Sequence, residues 1–250
     1  MAEAIEVKNV TFEYDLGGRR VVAVEDVSFL VKASEFLCIV GPSGCGKTTI
    51  LNMLAGFLRP TSGEIHIGGR QLDADRSDYG VVFQDFAQLF PWRTARRNVE
   101  FGLEMRGVAR KPRTAKALEY LRLVGLEQFA NVFPHQLSGG MQQRVAIARS
   151  LAYDPSILLM DEPFAALDAM TRGEMQSLLA GIWERTQKTV VYITHNVAEA
   201  VYLGDKILVL GAHPGTVKTE LACELLRPRD PMSDQFFAMQ RDVLQHLAVH

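Results

Sequence analysis

The chain has little of what would mark it as secreted, membrane-spanning or nucleic-acid-binding. Only three of its 250 residues are cysteine, Cys38, Cys45 and Cys223, too few and too scattered for a disulfide framework or a zinc site, so a reducing compartment is expected. No apolar run approaches the ~18 residues that span a bilayer, and residues 1–10 lack the basic start and apolar centre of a signal peptide. A role at a membrane would therefore need another chain to bring this one there. Basic excess is missing too: 27 Lys and Arg stand against 29 Asp and Glu, a formal charge of −2 with a pI near 6.3. That balance argues against a dedicated nucleic-acid binder. The cluster Arg93, Arg96, Arg97, Arg110, Lys111 and Arg113 is a local exception and reads as a solvated basic face. Repeats and low-complexity segments are absent. The 48% hydrophobic composition suffices to bury the core of one large domain, or of a domain with a subdomain.

Against that background one stretch stands out. Gly41-Pro42-Ser43-Gly44-Cys45-Gly46-Lys47-Thr48-Thr49 fits G-x-x-x-x-G-K-[ST], with an apolar run at residues 36–40 before it and a helix-compatible run at residues 48–55 after it. Glycines let the backbone curl so that successive N–H groups converge on phosphate oxygens, and the start of the following helix extends this nest. Lys47 brings a mobile positive charge to the β- and γ-phosphates, and Thr48 a hydroxyl to Mg²⁺. The pattern leaves Cys45 free in identity, which makes it a candidate for thiol modification that blocks nucleotide binding.

Residues 5–12 and 21–31 alternate apolar with polar positions and read as strands around a turn at Gly17-Gly18. Tyr14, just before that turn, offers a ring that could stack on a nucleobase. Short strands follow at 64–67 and 79–83, the latter ending at Gln84. From residue 85 to 154 the pattern turns helical, with Leu118, Leu121 and Val124 at helix spacing and breaks at Gly107, Pro112, Gly125 and Pro134. Strand and helix then alternate again: strands at 157–160, 189–194 and 206–210, helices around 175–182 and 198–203. This alternation predicts an α/β fold with a mostly parallel sheet. Beyond Pro214 the chain is less periodic, with a last helix at 236–247.

Two further signals narrow the class. Ile157-Leu158-Leu159-Met160-Asp161-Glu162 is an apolar strand ending in a carboxylate, which puts Asp161 at the sheet's carboxyl edge, where it can share Mg²⁺ with Thr48. Glu162 beside it can orient an attacking water and act as general base. Leu137-Ser138-Gly139-Gly140-Met141-Gln142-Gln143-Arg144 opens a helix with apolar Met141, Val145, Ala148 and Leu151 on one face. Ser-Gly-Gly is by itself an ordinary N-cap, but here it forms a second anion-friendly helix start. Since Lys47 already grips the chain's own nucleotide, the second device suits the nucleotide of another copy.

These motifs resemble those of the nucleotide-binding subunit of an ABC transporter: Gly41 to Thr49 is similar to its Walker A, residues 157–162 to its Walker B, and residues 137–142 to its signature. The resemblance spans residues 5–210. It implies a P-loop NTPase ABC ATPase domain with a mostly parallel sheet, N-terminal antiparallel strands and an inserted helical subdomain, with 1–84 and 155–215 as the ATP-binding core, 85–154 the helical subdomain and 216–250 a C-terminal extension. It further implies that Tyr14 stacks on adenine, that Gln84 senses Mg²⁺ and the γ-phosphate, that Ala165 to Asp168 is the D-loop and that His195 is the switch histidine. The catalytic set is then Glu162, His195, Gln84 and Lys47, with Thr48, Gln84 and Asp161 around Mg²⁺ and residues 41–49 with Ser138, Gly139 and Gly140 around ATP. Ala165 departs from a common Ser and loses a hydroxyl at the dimer contact; Thr49 replaces a common Ser and keeps one. His66, His135, His213, His246 and His250 receive no role.

Family members act as dimers that sandwich two ATP molecules head to tail, so the implied partners are a second ATP-binding subunit, membrane permease subunits and, indirectly, a substrate-binding protein, at the cytoplasmic face of a bacterial plasma membrane. Residues 83–94, Phe-Gln-Asp-Phe-Ala-Gln-Leu-Phe-Pro-Trp-Arg-Thr, together with Leu226-Arg227-Pro228-Arg229-Asp230, are similar to the nitrate, sulfonate, taurine and bicarbonate importer branch. Phe86, Phe90 and Trp92 are candidates for a groove that takes a permease helix. Another cargo and a non-transport ATPase switch remain as alternatives. A chromosome or DNA-repair ATPase would need a long heptad insertion that residues 85–154 do not supply, and a translation-associated member would carry two cassettes.

Overall fold

The N-terminal alternation becomes β1 (Ile5–Leu16), paired antiparallel with β2 (Arg19–Val31) across Gly17 and Gly18, whose φ values of 66° and 90° only glycine adopts without strain. Both strands run longer than their alternating segments. With β4 (Ser62–Ile67) and β5 (Arg70–Gln71) they form a four-stranded antiparallel sheet in the order β2-β1-β4-β5. The computed structural model describes residues 2–72, 79–84, 88–212 and 214–248. Asp85, Phe86, Ala87, His213 and His250 lie outside these.

A second sheet carries β3 (Phe36–Val40), β6 (Tyr79–Val82), β7 (Ile157–Asp161), β8 (Thr189–Thr194), β9 (Lys206–Leu210) and β10 (Val217–Ala222), ordered β10-β9-β3-β8-β7-β6. All neighbours are parallel except β10, which pairs antiparallel with β9 at the edge. The sequence reading has no strand there. Along β10 partly buried and exposed residues alternate with none fully buried, so its hydrophobic signal is weak. In β3 all five residues are buried, as expected of a strand covered on both faces. Phe36, Cys38 and Val40 point into one core with the helices, whereas Leu37 and Ile39 point into another shared with the antiparallel sheet.

The helices are α1 (Lys47–Leu54), α2 (Ala95–Met105), α3 (Arg110–Leu123), α4 (Gly139–Ala152), α5 (Ala169–Thr186), α6 (Val197–Leu203) and α7 (Asp234–Ala248). Pro112, expected as a break, lies inside α3. It is the third residue of that helix, where no intrahelical N–H bond is required, so the ring is tolerated. Gly107 and Gly125 do end helices, at φ values of 72° and 73°.

Half of the expected solvated basic face folds into ion pairs instead, while Arg97, Arg110 and Lys111 stay exposed. Arg93 meets Glu104 at 2.7 Å, Arg96 meets Glu100 at 2.5 Å, and Arg113 reaches Glu100 at 3.9 Å and Glu104 at 4.0 Å. With Trp92, Arg97 and Arg110 they line one cavity. The two glutamates sit one helical turn apart on α2 and draw the guanidinium groups inward.

The C-terminal segment is tied down by two arginines. Arg227 stacks its guanidinium 4.3 Å from the Trp183 ring centroid and pairs with Asp205. Buried Arg229 donates to the carbonyls of Val201 at 2.6 Å, Gly204 at 2.7 Å, Leu225 at 3.1 Å and Cys223 at 3.2 Å. Arg229→Ala strands several buried acceptors at the end of α6, and a loss of about 2–4 kcal/mol is expected, read as a lowered midpoint in urea unfolding with an unchanged slope.

Candidate functional site

Parallel pairing brings three strand ends to one edge. Val40 lies opposite Thr194, and Ile193 opposite Asp161, so the glycine loop after β3, the carboxylates at the end of β7 and His195 after β8 converge. Gln84, exposed, follows β6, the neighbour of β7.

The loop's shape is enforced from behind. Gly46 has φ of 85°, and a Cβ there would stand 2.3 Å from Val24 Cγ1 and 2.9 Å from the Ala23 carbonyl. Gly46 is also the N-cap of α1, with no side-chain capping bond and no acid in the first turn. By contrast Thr94, Ser138, Asp168 and Asn196 cap α2, α4, α5 and α6 through their side chains. An uncapped start of this kind leaves backbone N–H groups and the positive end of the helix dipole for an anion. Lys47, nearly buried, folds back and donates to the carbonyls of Gly41 at 2.9 Å and Pro42 at 3.0 Å.

Thr48 Oγ1 donates to Asp161 Oδ1 at 3.4 Å. Burial pushes the Asp161 carboxyl above its usual range, Thr48 and Lys47 oppose that shift, and Glu162 adds to it. A carboxylate that burial disfavours as an anion gains from a nearby cation, and a hard oxygen pair from Thr and Asp suits Mg²⁺. Among the described residues no group of three or more His, Cys, Asp or Glu side chains suits a transition metal.

Glu162 is held in the left-handed region at φ of 41°, a conformation costing a non-glycine residue about 1–2 kcal/mol. Its N–H donates to the Ile193 carbonyl at 3.0 Å, and its Oε2 lies 2.7 Å from His195 Nδ1. Strain here aims the carboxylate at the histidine. Tyr14 sits beside the loop helix, its hydroxyl 3.2 Å from Thr49 Oγ1 and its ring edge-on to Phe12 at 4.9 Å. At 38% exposure part of the ring is open to solvent.

Ser138 Oγ accepts from Met141 N at 3.3 Å and keeps its own proton to donate outward. Among the described residues, no hydrogen bond or ion pair links Ser138, Gly139 or Gly140 to Lys47, Thr48, Asp161, Glu162 or His195. Asp168 caps α5, accepting from Met170 N and Thr171 N. Sequence reasoning missed Thr194, Glu199 and Arg172, which surround the His195 turn. Asn196 three residues before Glu199 is a capping-box spacing and could have marked them, although Glu199 bonds Tyr192 and Thr194.

A glycine loop, an uncapped helix start and a lysine at this edge of the sheet suit the phosphate chain of a nucleotide, beside carboxylates able to activate water. The molecule is thus a P-loop ATPase. Residues 24–165 match the ABC transporter family. The chain is 50% identical to the taurine import ATP-binding protein TauB of Rhizobium johnstonii over 84% of its length and 80% of that protein's. It is 45% identical to the nitrate import ATP-binding protein NrtD of a Synechocystis strain, over 89% of this chain and 83% of the relative. Among solved structures, the dimeric post-hydrolysis state of the ATP-binding cassette MJ0796 bound to ADP and Pi superposes with a TM-score of 0.77 at 40% identity, covering 89% of this chain and all of that one. The chain belongs to the ABC transporter family and is an ATP hydrolase of that family.

The thiol in the loop is less available than the motif suggests. Cys45 is fully buried, and burial raises its pKa against the opposing pull of Lys47, so it stays a protonated, inert thiol. Cys38 and Cys223 are buried as well. The folded protein is expected to react with no equivalent of an aromatic disulfide reagent on the timescale of free cysteine, and with all three thiols after denaturation. A fast-reacting thiol that nucleotide protects would reinstate Cys45 as a modification site.

Proposed function

We propose that this chain is the ATP-hydrolysing subunit of an importer that takes up a small anion of the taurine, sulfonate, nitrate or bicarbonate kind through separate membrane subunits. The names of the taurine and nitrate relatives support the cargo class. The observation that carries the hydrolytic half is the 2.7 Å contact between Glu162 and His195, at the same edge as Lys47 and Thr48.

In this reading residues 41–49 cradle the phosphates and Tyr14 takes the adenine ring on its open side. Lys47 leaves the Gly41 and Pro42 carbonyls for the β- and γ-phosphate oxygens. Thr48, Asp161 and Gln84 are the residues that would hold Mg²⁺, which neutralises phosphate charge when bound. Glu162 orients a water and takes its proton as the water oxygen bonds the γ-phosphorus and the bridging oxygen leaves with ADP. His195 keeps the Glu162 carboxylate in place and contacts the γ-phosphate. Ser138 through its hydroxyl, and Gly139 and Gly140 through their N–H groups, close over the nucleotide of a second copy, in a head-to-tail dimer. Closure and reopening follow from the different affinity of the two arrangements for ATP and for its products.

No described helix is long and apolar enough to cross a membrane, so peripheral attachment to permease subunits at the cytoplasmic face fits. Trp92, at 71% exposure, is the proposed anchor for a permease helix. It rests 5.5 Å from the Phe90 ring, which packs on Phe101 at 4.6 Å. Phe90 is therefore a support, and Trp92 the exposed contact.

Glu162→Gln is expected to keep ATP binding, to slow turnover by about 10²–10⁴-fold, and to accumulate an ATP-held dimer in size-exclusion chromatography. Hydrolysis at the wild-type rate would remove Glu162 from the base role. Trp92→Ala is expected to leave the ATPase of the free subunit intact while weakening copurification with its permease subunits; undiminished assembly and transport-coupled ATPase would rule the anchor out.

A further inference from the structure

The first turns of α5 touch two places at once. On one side stands Thr171, whose Cγ2 lies 2.7 Å from where a Cβ on Gly140 would be. Glu174 adds a second tie to α4, pairing with Arg144 at 3.1 Å. On the other side Arg172 donates from Nη2 to the Leu167 carbonyl at 2.8 Å and holds its Nε 3.6 Å from Glu199 Oε1. Glu199 is 3% exposed. Its other oxygen accepts from the Tyr192 hydroxyl at 3.0 Å and the Thr194 hydroxyl at 2.8 Å. Thr194 Oγ1 accepts in turn from Asn196 N at 2.9 Å, so the carboxylate fixes the turn that presents His195.

One link in this series is not made. Arg172 Nε is buried and has no hydrogen-bond acceptor among the described residues. Its 3.6 Å separation from Glu199 lies beyond the ~2.7–3.2 Å of an N–H···O bond, yet a movement of about half an ångström would close it into a charge-assisted bond. Packed contacts of this sort switch between discrete arrangements rather than stretching continuously. The Gly140 contact offers the push, because anything that presses on the start of α4 presses on Thr171.

We propose that Arg172 and Glu199 are positioning residues that couple the two nucleotide sites of the dimer. Phosphate seated on Ser138, Gly139 and Gly140 shifts the first turn of α5, Arg172 closes onto Glu199, and Thr194 holds His195 and hence Glu162 in place for the chain's own nucleotide. The proposal rests on the reading above that Ser138 to Gly140 serve the partner's ATP. An ordinary buried ion pair that only stabilises the fold would show the same distances, so the test must read coupling rather than stability.

The experiment is the ATP dependence of hydrolysis by the full chain. Wild type is expected to give a sigmoidal curve with a Hill coefficient above 1 and at most about 2, the number of coupled sites. Arg172→Met and Glu199→Gln are expected to give hyperbolic curves, with a lowered rate at saturating ATP because His195 and Glu162 are no longer locked in place. Their double variant should lose no more than either alone. Tyr192→Phe removes a different bond from the same carboxylate and should keep the wild-type curve shape. Arg172→Lys retains a donor and should restore part of the sigmoidicity, and it also serves if Arg172→Met folds poorly. A sigmoidal curve surviving in Arg172→Met and Glu199→Gln would overturn the proposal, as would a hyperbolic wild type. The ATP-held dimer of Glu162→Gln is measured separately, so failure of the dimer reading is told apart from failure of the relay.

Discussion

β8 is hydrogen-bonded in parallel to both β3 and β7, and nearly everything at the site follows from that placement. A parallel pair has its carboxyl ends on one side, so three consecutive strands in this arrangement must deliver their following loops to one edge. Val40 facing Thr194 and Ile193 facing Asp161 set the positions. A slip of one residue in β8 would turn its buried side chains to the wrong cores and move His195 away from Glu162. The two hydrophobic cores on either face of this sheet therefore hold the register and, through it, the geometry of the carboxylates and the histidine.

Charge at the edge is balanced by construction. Lys47 is nearly buried and the helix it begins presents a positive end, while Asp161 and Glu162 stand adjacent and Asp161 is desolvated. Each sign alone would be costly at such burial. Together they offset one another, and the left-handed backbone at Glu162 shows that the chain tolerates strain to keep the second carboxylate pointing at His195.

The residues legible in the sequence are those whose chemistry is local. Gly41 to Thr49, Asp161 with Glu162, and Ser138 to Gly140 are contiguous, and each owes its meaning to the strand or helix directly beside it. The α/β class and the helical stretch between strands were legible from periodicity for the same reason. What was not legible depends on partners far away in the chain. β10 is an edge strand with a weak pattern. Pro112 depends on where α3 begins. The arginines around α2 look like a solvated face until Glu100 and Glu104 turn toward them. Cys45 sits in a motif open to any residue, and only the fold, which buries it completely with its Sγ turned toward Gly41, shows that its thiol is shut away. Glu199 and Arg172 are 27 positions apart and meet only because α5 and α6 flank the same strand.

The folded-back Lys47 has a consequence for how the site empties. In the proposed function, with its ammonium already bonded to Gly41 and Pro42, taking up a nucleotide is an exchange of acceptors, and the net attraction is smaller than the charge suggests. The reverse step gains what the forward step gives up. As products depart, two carbonyls stand ready to receive the ammonium, so no naked cation is left behind to hold on to phosphate. A loop that satisfies its own lysine is suited to letting go, and a pump that must reset after every stroke depends on release as much as on capture.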